Sequence, residues 1–150
     1  MKKILYTFVL MLVCLGAQAQ NLKFADQEVL RCALKSADIN EDGILQKAEA
    51  DSLTVLNLTV YRSHIFEVKT YEDLKLFPNL KKVWLGESEI QELDLSPNYK
   101  LEVVAVQSTN LKTLVLAVGC YPQLITPTIE GSLTIKRVYS ENDPNTIWYR

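Results

Sequence analysis

The chain has 150 residues, of which 48% are hydrophobic and 23% charged, with a formal net charge of -2 at pH 7. That is one domain's worth and enough to bury a core. The near-balanced charge, with no Lys/Arg cluster, excludes a nucleic-acid or anionic-membrane footprint, and one histidine with scattered cysteines does not match tetrahedral zinc spacing.

In chain order, Lys2-Lys3 is a positive start, Ile4 to Leu15 an apolar run and Ala17-Gln18-Ala19 a small-x-small cleavage site. Together they predict an export signal over residues 1–19. The run is shorter than the roughly 20 residues that span a bilayer. Cys14 follows Val13, where a lipoprotein signal resembles a small residue. The expected product starts at Gln20, is periplasmic or extracellular, and has no stable membrane anchor. Losing Lys2 and Lys3 takes the formal charge from -2 to -4. Cys32 and Cys120 remain, and spacing alone does not bring their Cα atoms within bonding range. They read as two separate buried thiols.

Phe24 to Ala37 contains no Gly or Pro, and Phe24, Val29, Leu30, Ala33, Leu34 and Ala37 form a helical stripe. Residues 48–52 supply a short exit helix. Between them, Asp38-Ile-Asn40-Glu-Asp42-Gly43-Ile44-Leu45-Gln46-Lys-Ala-Glu49 resembles the calcium loop of an EF-hand. Ca²⁺ is a hard ion that takes six to eight oxygens at about 2.3–2.6 Å. The resemblance implies Asp38, Asn40, Asp42, the Ile44 carbonyl, Gln46 through a water, and a bidentate Glu49. Gly43 stands at the sharp turn, where a side chain is expected to obstruct, and Leu45 is the apolar anchor. A bare D-x-N-x-D-G can be a solvated Asx-turn; Glu49, six residues after the glycine, argues for the metal.

Past the loop the chain repeats. Leu80-x-x-Val83-x-Leu85 and Ile90-x-x-Leu93-x-Leu95 recur 21 residues later as Leu101-x-x-Val104-x-Val106 and Leu111-x-x-Leu114-x-Leu116. An earlier copy, Leu53-x-x-Leu56-x-Leu58, lies 27 residues before the first, so about six extra residues are expected around Tyr71–Pro78. Such a period predicts a solenoid whose turns each contribute a short strand and cannot bury their apolar edge alone. Val83, Val103, Val104 and Val106 suit strands better than helices. The pattern, most closely in residues 80–100, resembles the 21-residue class of bacterial leucine-rich repeats, including secreted members with an EF-hand ahead of the repeats. It departs from that class where the mid-repeat asparagine is replaced by Ser88 and Thr109.

The expected fold is α+β. An EF-hand-like helix-loop-helix over 20–52 caps a short parallel β solenoid over 53–121. A degenerate last coil and cap follow over 122–150, with Ile147, Trp148 and Tyr149 folding back over the end. In L-x-x-L-x-L strands the x positions face outward and stack in columns: Asn57, Trp84, Ala105; Val55, Lys82, Val103; Thr54, Lys81, Glu102. Val55, Lys82, Trp84 and Val103 therefore form a candidate ligand face for a protein or glycan. Trp84 either protrudes between smaller neighbours or packs under the insertion.

No catalytic constellation emerges. His64 has no nucleophile motif to pair with, no phosphate loop occurs, and Glu87 with Glu89 or Glu92 with Asp94 read as a solvated face. The expected function is a calcium-binding exported binding module, not an enzyme. The alternatives are a structural protein that calcium only stabilises, and a secreted enzyme with an unrecognised site.

Overall fold

The computed structural model describes residues 21–59, 68–86, 88–107, 110–126 and 133–144. The export signal, His64, Thr109 and the Ile147–Tyr149 segment lie outside them. The fold is α+β, with few helices and two sheets of parallel strands. Among the described residues, no helix is long and apolar enough to cross a membrane.

Helix α1 (Gln27–Ala37) begins where Asp26 adopts an extended backbone and its Oδ1 accepts the N–H groups of Glu28 and Val29, at 2.8 and 3.4 Å. These are donors that a helix start otherwise leaves unpaired. Its stripe buries Val29, Cys32, Ala33 and Ala37, with Phe24, Leu30 and Leu34 packed half-buried against the core. Helix α2 (Lys47–Ser52) follows the loop, and its first turn is closed by Glu49, whose Oε2 accepts the Gln46 N–H at 3.1 Å.

One sheet has the order β1-β2-β4-β6: Val55–Leu58, Lys82–Leu85, Val103–Val106 and Gln123–Ile125. The other, β3-β5-β7, comprises Glu92–Asp94, Thr113–Ala117 and Thr134–Val138. Val83 pairs with Leu56 and Val104, and Leu85 pairs with Leu58 and Val106. These inward rows are buried, and each such side chain contributes roughly 1.5–3 kcal/mol relative to exposure. The strands alternate because successive side chains point to opposite faces. Exposed polar side chains one period apart also meet: Lys81 with Glu102 at 2.9 Å, and Lys112 with Gln91 at 3.2 Å.

The extra residues of the first unit do not fall at Tyr71–Pro78. The Phe77 N–H donates to the Leu74 carbonyl and the Leu80 N–H to that of Phe77. Asn98 and Leu101 make the same bonds to Leu95 and Asn98, 21 residues on. Leu74 and Leu80 are as buried as Leu95 and Leu101. The 3-10 turn Glu72–Leu76 thus belongs to the regular period, and the surplus lies between Leu58 and Leu74.

Strand pairing continues past Cys120. Gln123 pairs with Val103, a step one residue short, while Thr134 pairs with Thr113 at the full 21. What fails is the apolar pattern. Arg137 pairs with Leu116, and every residue of β7 is exposed.

Candidate functional site

Residues 38–49 connect α1 to α2, and Leu45, 2% exposed, anchors the segment in the core. Its carbonyl accepts the Leu22 N–H at 3.4 Å. Gly43 has φ +76°, and a Cβ built there meets nothing within 4 Å. The glycine is therefore required by its left-handed backbone, not by crowding. Glu41 shares that region at φ 58°.

The loop's side-chain oxygens are bonded to N–H groups of the loop itself. Asp38 Oδ2 accepts the Gly43 N–H at 3.0 Å, Asn40 Oδ1 the Asp42 N–H at 3.1 Å, and Asp42 Oδ1 the Ile44 N–H at 2.8 Å. Asp42 Oδ2 receives the side-chain amides of Gln46 at 2.7 Å and Asn40 at 3.0 Å. Glu49, 5% exposed, lies across the segment with Oε1 on the Ile39 N–H at 3.0 Å and Oε2 on that of Gln46. In this arrangement, among the described residues, no three His, Cys, Asp or Glu side chains form a group that could hold a metal. Glu49 is engaged by two backbone N–H groups, and two amides supply Asp42 with positive hydrogens. One oxygen is left over. Asp38 Oδ1 is buried without a hydrogen-bond partner among the described residues. A buried carboxylate oxygen costs free energy unless a donor or a cation reaches it. The donor set is all oxygen, with Asp38, Asp42 and Glu49 charged, which fits a hard divalent ion.

Two carboxylates outside the loop tie this end of the molecule together. Asp73 accepts the N–H groups of Ala25 and Asp26, at 3.0 and 2.7 Å. Asp26 Oδ2 accepts those of Lys69 and Thr70, at 2.7 and 3.3 Å. The sequence stripe starts at Phe24, whereas the helix begins three residues later, at Gln27, because Asp26 caps it there. The role of Asp73 depends on a contact across 48 residues and had no sequence signal. From α2, the Asp51 carbonyl accepts the Asn79 amide at 2.8 Å, and Asn79 Oδ1 accepts Lys100 Nζ at 2.5 Å, which links the loop's exit to successive repeats. Asn98 laces backbone groups deeper in, donating to the Leu74 and Phe77 carbonyls at 2.8 and 3.0 Å.

The strands pair as the columns predict, but Ala105, expected to face outward, is buried. Val55, Lys82, Val103 and Gln123 align in one outward row, and Asn57, Trp84, Ala105 and Ile125 in the next. Val55 is 45% exposed and Lys82 is exposed, while Val103 and Trp84 are half-buried. Trp84 therefore does not protrude freely, nor is it sealed in the core. Gly86, just beyond, brings two backbones together: a Cβ there would lie 3.0 Å from the Leu58 carbonyl oxygen. Lys81, bonded to Glu102, holds that carboxyl below its usual range.

On the other side, an open cleft of about 400 Å³ is lined by Tyr71, Ile90, Leu93, Glu92 and Asp94 among others. Two of its three carboxylates are engaged, Glu92 by Lys136 at 3.6 Å and Asp94 by the Ser96 N–H at 2.8 Å. Cys32 and Cys120 are free and buried. Burial pushes both thiols up. Comparison with protein-family models, curated proteins and solved structures gives no match.

Proposed function

We propose that the chain is an exported, calcium-binding leucine-rich repeat protein, an EF-hand-like helix-loop-helix capping a short parallel β solenoid. Its repeat face acts as a binding module for a protein or glycan, and no catalytic role is assigned. The single observation that most supports the metal is the orphaned Asp38 Oδ1, buried within an all-oxygen loop. Asp38, Asn40, Asp42, the Ile44 carbonyl, Gln46 through a water, and Glu49 would hold the ion.

When bound, the ion supplies the positive charge that the Asn40 and Gln46 amides now provide to Asp42. Gly43 lets the backbone turn, Leu45 fixes the loop to the core, and Glu49 joins the loop to α2 and so to Leu53 and β1. Three carboxylates against a divalent ion leave the filled site at about -1, ordinary for such a cage. Freeing Glu49 from two N–H groups works against binding, so the expected affinity is in the weak extracellular range of about 10⁻⁴–10⁻³ M. Calorimetry at millimolar calcium should give a saturable heat that Glu49→Gln removes. No heat in the unmutated protein would overturn the metal assignment.

A second reading, in which calcium only stabilises a structural protein, draws support from the half-burial of Trp84. The stability of Trp84→Ala separates them. A loss of about 3–5 kcal/mol fits a packed core residue, and near-neutral stability fits a binding face.

A further inference from the structure

We propose that the outward face of the first sheet takes an acidic oligosaccharide, with a sugar ring stacked on Trp84 and a carboxylate held at Lys82. The proposal rests on the binding-face reading above and names the ligand class for it.

Size decides first. Four strands give three steps of about 4.8 Å, and four residues at about 3.3 Å give the other dimension, so the face covers only about 200 Å². A stable protein interface needs about 800 Å² on each partner. A patch a quarter of that size suits one or two pyranose rings.

Chemistry agrees. A pyranose presents an apolar C–H face and a rim of hydroxyls. Trp84 is half-buried and so not sealed from water, and the negative face of an aromatic ring attracts polarised hydrogens. Its row neighbour Ala105 is only 6% exposed, so that flank of the ring is closed. On the other flank, Asn57 spends Oδ1 on the Thr59 N–H and hydroxyl. Its amide nitrogen has no hydrogen-bond partner among the described residues and remains a donor for a hydroxyl. Gln123, exposed in the adjoining row, offers both a donor and an acceptor.

Charge selects the acidic class. Lys82 is the one charged side chain in the two outward rows. It has no ion pair among the described residues, whereas its neighbour Lys81 is held by Glu102. The face is thus locally cationic on a chain whose formal net charge is -2. Its cation stands two residues from the indole, on the same side of the strand.

The test uses the full chain carrying Trp148→Phe, which leaves Trp84 as the only indole. Acrylamide quenching comes first: a fully shielded Trp84 would overturn the binding-face reading itself. Tetragalacturonate and cellotetraose are then titrated in millimolar calcium. The expected result is a saturable fluorescence change with tetragalacturonate and binding at least about 10-fold weaker for the neutral sugar. Lys82→Met should erase that preference without moving the melting temperature. Trp84→Ala, followed by calorimetry, should weaken binding at least about 30-fold. A quenchable Trp84 that responds to neither sugar overturns the oligosaccharide and leaves the face to a protein partner. Equal affinity for both sugars overturns the carboxylate contact at Lys82.

Discussion

Strands β1 and β7 are both edge strands held by a parallel ladder, yet β1 has its inner face sealed and β7 is bare along its whole length. On β1, Leu56 and Leu58 are at most 1% exposed, with α1 packed against the strand. On β7, every residue is exposed, Ile135 at 42% and Val138 at 39%. The ladder needs only backbone groups and a period, so it propagates to the last strand. Burial needs a cover. At the β1 end that cover is α1, fixed by buried Asp26 and Asp73, which accept backbone N–H groups from two separate segments. Buried carboxylates are costly unless satisfied, and here their oxygens find donors.

Substitutions at the centre and the two ends should break the comparison to different extents. Leu85→Ala, in the middle of the first sheet, should cost about 3–5 kcal/mol in denaturant unfolding, since both neighbouring strands pack on it. Asp26→Ala should cost about 2–4 kcal/mol, because it strips a helix cap and leaves buried donors unpaired. Ile135→Ala on β7 should cost less than about 1 kcal/mol, as expected where little area is lost from burial. If Asp26→Ala and Ile135→Ala proved equal, the sealed end would not be specially stabilised.

Calcium should sharpen the contrast. At free calcium a hundred times the dissociation constant, mass action gives about 2.7 kcal/mol. Chelation should then lower the melting temperature by several degrees, and Glu49→Ala should remove the difference.

The smallest effect concerns the thiols. Burial raises the pKa of Cys32 and Cys120 in the folded state. Their contribution to stability is full below the unfolded thiol value of about 8.5 and is lost as pH rises through the folded value. Maleimide labelling at pH 7 should therefore be slow in the native protein and fast in denaturant. Rapid native labelling would place the thiols at the surface.

Much of this was legible in the sequence because periodicity carries it. The 21-residue step placed Val83 beside Val104 and Trp84 beside Ala105, as the ladder has them. The position of the surplus residues was not legible. Phe77 and Asn98 occupy equivalent places with unlike side chains, which hides from the sequence that the turn at Leu74–Leu80 repeats the backbone bonds of Leu95–Leu101. The pairing beyond Cys120 was obscured for the same reason, since Arg137 stands opposite Leu116. In the loop, the spacing offered a set of candidate oxygens, but not that Glu49 would be engaged by Ile39 and Gln46. The degree of exposure of Trp84 depends on neighbours that no spacing fixes.

Amide hydrogen exchange with and without calcium tests the central claim most directly, because it reads both ends of the molecule in one experiment. Calcium should slow exchange in the loop, in α2 and in β1, including the amides of Ile39 and Gln46, while β7 should exchange at the same rate in either condition. Uniform protection of both ends, or no change in the loop at millimolar calcium, would contradict that claim.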